Sequence, residues 1–171
     1  SIPILLDELN REGKLKRVAG RYALADFSVH LTKRQNSIKD RLLKQYGGYG
    51  LETPGLDEVY GGFESKELTD CKQVVESLVS SGELVMLTPQ ICVHQDVYRD
   101  VCRKLCAYLA GHETIALADF RDLMGTSRKY ALAVLEYYDK NKILKKEEDL
   151  RRPGMNFWDI SQYFDEVSEN G

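Results

Sequence analysis

The sequence predicts a mainly α fold with small β-hairpins, laid out in tandem units of about 60 residues. The first observation behind this is a segment that recurs. Leu5–Arg17 (LLDELNREGKLKR), Val74–Met86 (VVESLVSSGELVM) and Val134–Lys146 (VLEYYDKNKILKK) each open with two apolar residues and an acid. Each then places an apolar residue four positions after the first and another ten after it: Leu9 and Leu15, Leu78 and Leu84, Tyr138 and Leu144. The second observation is the stop inside the segment, Gly13 and Gly82 in two copies and Lys142 in the third. An amphipathic helix that ends on a left-handed residue and turns into a strand gives this pattern, and glycine adopts positive φ at least cost. The third is the second apolar stretch that comes next, Arg21–Phe27 after the first copy and Gln90–Asp96 after the second, which completes a hairpin.

The elements come in chain order. Residues 1–31 contain only a third helix and a wing, so they are expected to be the end of a preceding unit, and the chain the C-terminal part of a longer protein. Arg34–Gly50 carries Ile38, Leu42, Leu43 and Tyr46 at helical spacing and ends in glycines. Thr53–Phe63 offers a short second helix with Leu56, Val59 and Tyr60 inward, and the Val74 segment supplies the third helix and the hairpin. The next unit repeats the order. Val97–Gly111 is a helix through Val101, Leu105 and Leu109, ETIAL a short strand, and Ala118–Gly125 a short helix packing Phe120, Leu123 and Met124. The last helix buries Ala131, Leu132, Leu135 and Tyr138, with Thr126 or Ser127 as its cap. Three helices and a two-stranded hairpin make a winged-helix domain built around a helix-turn-helix. The expected organisation is therefore 32–95 and 96–155 as two tandem winged-helix domains, followed by an acidic aromatic tail over 156–171.

Composition excludes several function classes. With 43% hydrophobic residues in 171, the chain can bury a core. No apolar run approaches the ~18 residues that cross a bilayer, and the first residues lack the layout of a secretory signal; a soluble, cytoplasmic monomer is expected. The formal charge of −3 is uneven: the stretch from Asn156 to Gly171 holds four acids and no base. Between Arg128 and Arg152 stand eight basic and five acidic residues, whereas 32–95 has seven basic and nine acidic. The first of these regions is a candidate for binding a polyanion, and the second reads as a spacer. Cys102 and Cys106 share a helix face and with His94 or His112 could ligate a metal, but Cys71, Cys92, Cys102 and Cys106 fit better as reduced, buried thiols. No paired carboxylates, nucleophile constellation or metal cluster stands out, so no catalytic residue, metal site or cofactor is assigned and the fragment is not expected to be an enzyme.

The stretches LADFRDLMGTSRKYALAVLEYYDKNKILKK, LETPGLDEV and SSGELVMLTPQICVHQDV resemble the C-terminal winged helices of the bacterial selenocysteine-specific translation elongation factor, SelB. FRDLMGTSRKYALAVLEYYD is the specific part, and the likeness runs to about Gly154. The resemblance implies a cytoplasmic factor whose terminal winged helix holds an mRNA stem-loop, the selenocysteine insertion element, downstream of a UGA codon. It also implies an N-terminal part that carries selenocysteyl-tRNA and uses GTP and Mg; this chain shows no GxxxxGK[ST] signature for such a site. A ribosome contact is left open. A DNA-binding winged-helix regulator is the alternative, disfavoured because the last helix offers few Asn, Gln or Arg residues beyond its first turn to read base edges.

The expected RNA-binding residues are Arg121, Arg128, Lys129, Lys145, Lys146 and Arg151. Arg128 and Lys129 fall in the first turn of the last helix, where a cation is misplaced for stability by about 0.3–1 kcal/mol and an anionic ligand is favoured. Arg121 is expected to project toward the same turn, and Lys145, Lys146 and Arg151 flank the wing. Such a module would grip phosphates and unstacked bases, because the major groove of A-form RNA is too narrow for a helix. Arg103 and Lys104 are lesser candidates, and Tyr130 and Tyr137 are assigned to packing. Where SelB wings carry two bases, a small apolar residue, Gly, Asp and Arg, this chain has KKEEDLRRPG, so Glu147 and Glu148 at the tip would repel phosphate and Pro153 would break the closing strand. Trp158, Phe157, Tyr163 and Phe164 are expected to anchor the tail.

Overall fold

A computed structural model describes residues 30–162. The expected half-domain at 1–31 therefore falls almost wholly outside the described residues, as do Tyr163 and Phe164. By its contacts the chain divides into Ser1–Asn36 and Ser37–Gly171, and the second unit holds all but the first turn of the described elements.

Its first half runs α1 (Lys33–Tyr49), α2 (Leu56–Gly61), a 3-10 turn (Ser65–Glu67) and α3 (Leu68–Ser81), then strands β1 (Leu84–Met86) and β2 (Cys92–His94). The repeat's glycine stop works as expected: Gly82 has φ 85° and caps α3, after which the chain enters β1. The 3-10 turn was not expected. It is fixed by a reciprocal capping box, in which the side chains of Glu64 and Glu67 each bond the other's backbone, and it starts α3 six residues before the periodic segment at Val74. β1 and β2 pair antiparallel with Leu84 opposite His94. Ile38, Leu42, Tyr46, Leu56, Val59, Phe63, Cys71, Val74, Val75, Leu78, Leu84 and Cys92 form the core of this half.

The second half repeats the order. It runs α4 (Gln95–Leu109), β3 (Ile115–Ala116), α5 (Leu117–Met124), α6 (Arg128–Lys140), β4 (Leu144–Glu147) and β5 (Leu150–Pro153). The strands lie in the order β3-β5-β4, all antiparallel. Pro153 does not break β5: it is the last residue, opposite Leu144, where a missing N–H costs least. Phe120, Leu135, Tyr138 and Ile115 are fully buried among Val101, Cys102, Leu105 and Val134. On α6, Ala133 and Val134 join Ala131, Leu135 and Tyr138 in the buried face, whereas Leu132 is only half-buried.

The two halves are not joined by a free linker. His94 ends β2 and caps α4 through Nδ1, which accepts from the Asp96 N–H at 3.0 Å. Leu87, Ile91 and Val93 of the first hairpin belong to the core of the second half. A hairpin whose residues face two cores transmits rigidity between them.

Candidate nucleic-acid interface

Two Schellman turns frame α6 and set its basic residues. Gly125 (φ 64°) ends α5, with the Thr126 N–H reaching the Arg121 carbonyl at 3.2 Å. At the other end Lys142 takes φ 61°, and the Ile143 N–H reaches the Tyr138 carbonyl at 2.9 Å. Lys142 thus adopts the left-handed conformation that Gly82 adopts in the preceding copy.

The start of α6 differs from expectation in one respect. Ser127 is the N-cap residue, but neither its hydroxyl nor that of Thr126 caps the helix. A carboxylate from the first half does so instead: Glu52 Oε2 accepts from Thr126 Oγ1 at 2.8 Å and from the Ser127 N–H at 3.0 Å. Beside it the Tyr130 hydroxyl donates to the Thr53 carbonyl at 2.7 Å. A carboxylate at the positive end of the helix dipole is well placed, and Ser127 and Thr126 gave no sign of it because the partner lies more than seventy residues away.

Arg128 and Lys129 are exposed on the first turn. Among the described residues neither forms an ion pair; the Lys129 ammonium stands 5.3 Å from the centre of the Tyr130 ring. Arg121 is exposed nearby, with Asp122 at a loose 3.8 Å. Lys145 and Lys146 are exposed on β4 and likewise form no ion pair among the described residues. They line a concavity of about 530 Å³ together with Asp139, Lys142, Leu144 and Met155. Asp139 lies eleven residues along α6 from Arg128, about 16 Å at 1.5 Å per residue. The six candidates therefore do not make one edge. Arg121, Arg128 and Lys129 stand at the start of α6, whereas Lys145 and Lys146, on opposite faces of β4, border the concavity beyond its end.

Arg151 belongs to neither group. Its side chain is 5% exposed and is held by Asp139 through Nε at 3.0 and 3.1 Å and Nη2 at 2.8 Å. It lies on the inner face of β5, opposite Ile115 and Lys146, so strand alternation turns it from the wing surface into the core. Its neighbour Arg152, which sequence reasoning passed over, is the exposed one. It stands opposite Lys145 and is paired with Glu147 at 2.9 Å. The period-2 pattern of β5, with Leu150 and Arg152 on one face and Arg151 on the other, is the signal that separates them. Lys142, which ends the helix in the repeat, is exposed beside the same concavity.

The lesser candidates Arg103 and Lys104 are both committed to Asp100, at 3.4 and 3.1 Å. All four cysteines are buried thiols, and burial pushes those of Cys71, Cys92 and Cys102 up to about 11. Cys102 instead shares a hydrogen bond with the Tyr138 hydroxyl at 3.2 Å. Among the described residues no three His, Cys, Asp or Glu side chains are grouped to hold a metal ion. No helix among them is long and apolar enough to cross a membrane.

Residues 107–152, from the end of α4 to β5, match the family described as elongation factor SelB, winged helix. The selenocysteine-specific elongation factor of Desulfomicrobium baculatum is 25% identical over 153 residues, 88% of this chain and 24% of that protein. The chain thus spans about a quarter of the length of this curated relative. Two solved structures share the fold. One is the mRNA-binding domain of elongation factor SelB from E. coli in complex with SECIS RNA, with a TM-score of 0.59 and 17% identity over 72% of this chain and 98% of that one. The other is a bacterial selenocysteine-specific elongation factor, EF-Sec, with a TM-score of 0.55 and 15% identity over 70% of this chain and 18% of that one. The resemblance read from FRDLMGTSRKYALAVLEYYD is thereby borne out, and the fold is a tandem of winged helices.

Proposed function

We propose that this chain is the mRNA-binding region of a selenocysteine-specific translation elongation factor. In this reading its last winged helix holds a selenocysteine insertion stem-loop so that selenocysteyl-tRNA is delivered at a UGA codon. The tRNA, GTP and Mg belong to a part of the factor outside this chain. The observation that carries the reading is the match of residues 107–152 to the SelB winged helix, in the same stretch that bears Arg128 and Lys129, exposed and, among the described residues, without ion pairs. The SECIS RNA bound to the E. coli domain is the partner expected here. Arg128 and Lys129 take phosphates at the edge of the helix start, with Arg121 beside them, and the acidic wing tip stays off the backbone. A cytoplasmic setting and a monomeric, non-catalytic role belong to the same reading.

A titration of labelled RNA tests it. A bulged stem-loop is expected to bind more tightly than the matching DNA hairpin or a DNA duplex. Equal binding of the duplex would favour the regulator instead, against which α6 offers few groups for base edges once its first turn is passed. Arg128→Ala and Lys129→Ala are each expected to lower the slope of log affinity against log salt by about 0.7–0.9. An unchanged slope would place the phosphate contacts elsewhere.

A further inference from the structure

Beyond the end of α6 the chain presents a surface that the stem-loop reading leaves unused. Met155 is 81% and Trp158 69% exposed, the two most exposed large apolar side chains among the described residues. Trp158 was expected to anchor the tail, yet its neighbours do that: Ile160 is fully buried, and its carbonyl accepts from the Cys106 thiol at 3.5 Å, while Phe157 packs against the core. The segment is nevertheless held firmly. The Gly154 N–H bonds the Ile143 carbonyl at 2.8 Å, the Asn156 N–H the Lys142 carbonyl at 2.8 Å, and the Asn156 amide the Asn141 carbonyl at 3.0 Å. At Gly154 a Cβ would stand 2.5 Å from the Lys142 carbonyl oxygen, so the close approach demands glycine. Met155 and Trp158 stand three residues apart in the hydrogen-bonded turn that leads out of β5, where the Phe157 N–H reaches the Gly154 carbonyl at 3.1 Å and the Asp159 N–H the Asn156 carbonyl at 2.9 Å.

Apolar exposure on a rigid base, beside cations, has a chemical meaning. The concavity that Met155 helps line also takes Lys142, Lys145 and Lys146, all exposed and without ion pairs among the described residues. Asp139, the one acid in its lining, is spent on Arg151. At about 530 Å³ it is in the range of small-ligand sites. The neighbouring acids are Asp159 beside Trp158, Glu147 next to Lys146 and paired with Arg152 at 2.9 Å, and Glu148 and Asp149 at the wing tip; none of them lines the concavity. We infer that this surface binds single-stranded RNA, a base stacking on Trp158 and Met155 while its phosphates lie on Lys142, Lys145 and Lys146. Stacking on an exposed aromatic with adjacent cations is how unpaired nucleotides are held. Given the stem-loop reading, on which the choice of RNA rests, the occupant is the unpaired strand that continues from the stem. Lys145 and Lys146 then serve the flank, and the start of α6 serves the folded element.

Trp158 is the chain's one tryptophan, so stacking on it can be read directly. The full chain is titrated with a blunt bulged stem-loop, the same stem-loop with a short single-stranded extension, and the unstructured strand alone. Quenching of tryptophan fluorescence is expected with the extended RNA and the strand, and not with the blunt stem-loop. By anisotropy of labelled RNA, the extension is expected to improve affinity about tenfold, the order of one stacked base. Trp158→Ala and Lys142→Glu should abolish that gain and leave the blunt stem-loop's affinity unchanged, and Trp158→Phe should restore most of it. No quenching, no gain from the extension, or an equal loss for both RNAs in Trp158→Ala would overturn the inference. If the blunt stem-loop binds and the extension adds nothing, the stem-loop reading stands without this site. If the strand quenches Trp158 and the stem-loop does not bind, this site stands and the stem-loop reading falls.

Discussion

Adjacent residues of like charge part company in the wing. Arg151 and Arg152 are indistinguishable by charge, yet one is buried against Asp139 with three short contacts and the other faces solvent opposite Lys145. Removing one partner of a buried pair leaves the other charge uncompensated, at a cost of about 3–5 kcal/mol. Asp139→Asn is therefore expected to lower stability by roughly that amount, read by urea unfolding, while the salt slope of RNA binding in the folded protein is unchanged. A matching loss in the slope would return Arg151 to the interface. The exposed cations were legible in the sequence because a cation in the first turn of a helix, at Arg128 and Lys129, runs against the dipole. The fate of Arg151 was not, since it depends on strand register and on an acid in the last turn of a helix.

At the level of elements, the repeat was the informative signal. It placed α3 with β1 and α6 with β4, and its stop position is a left-handed residue in both described copies, Gly82 at φ 85° and Lys142 at φ 61°. A side chain held in that region costs about 1–2 kcal/mol, while glycine gives back part of this through its flexibility when unfolded. Lys142→Gly is thus expected to raise the midpoint of thermal unfolding slightly, and Gly82→Ala to lower it. Gly154→Ala tests the packing of the hairpin exit, where the new methyl meets the backbone of Lys142 and Leu144. A loss of about 1–3 kcal/mol is expected there, and wild-type stability would show that the turn at Asn141 to Ile143 gives way. The 3-10 turn at Ser65–Glu67 escaped prediction because its cap is a glutamate, Glu64 with Glu67, where Ser, Thr, Asp or Asn is the usual signal. Local pairing of that kind leaves little trace in hydrophobic spacing.

Across the whole of the described unit, the part that the sequence could not announce is how its two halves meet. The spacing of the repeats indicated two sets of three helices and a hairpin, but periodicity describes each helix against its own core. It is silent on Glu52 accepting from Thr126 and Ser127, on Tyr130 bonding Thr53, and on Leu87, Ile91 and Val93 serving the second core. Loss of a helix cap costs about 1 kcal/mol, so Glu52→Ala is expected to lower stability by that order. A double-mutant cycle with Thr126→Val should return a coupling of at least about 0.5 kcal/mol. Additive effects would mean that the contact does not persist in solution.

The Glu52 contact also bears on how the molecule can be divided. A piece trimmed to begin at α4 would keep every cation of both basic groups, yet it would strip the Ser127 amide of its acceptor and uncover the apolar seat that Leu87, Ile91 and Val93 fill. Such a piece would meet anions with an amide the intact chain keeps engaged, so affinities taken from it would describe a different surface from the one the parent displays.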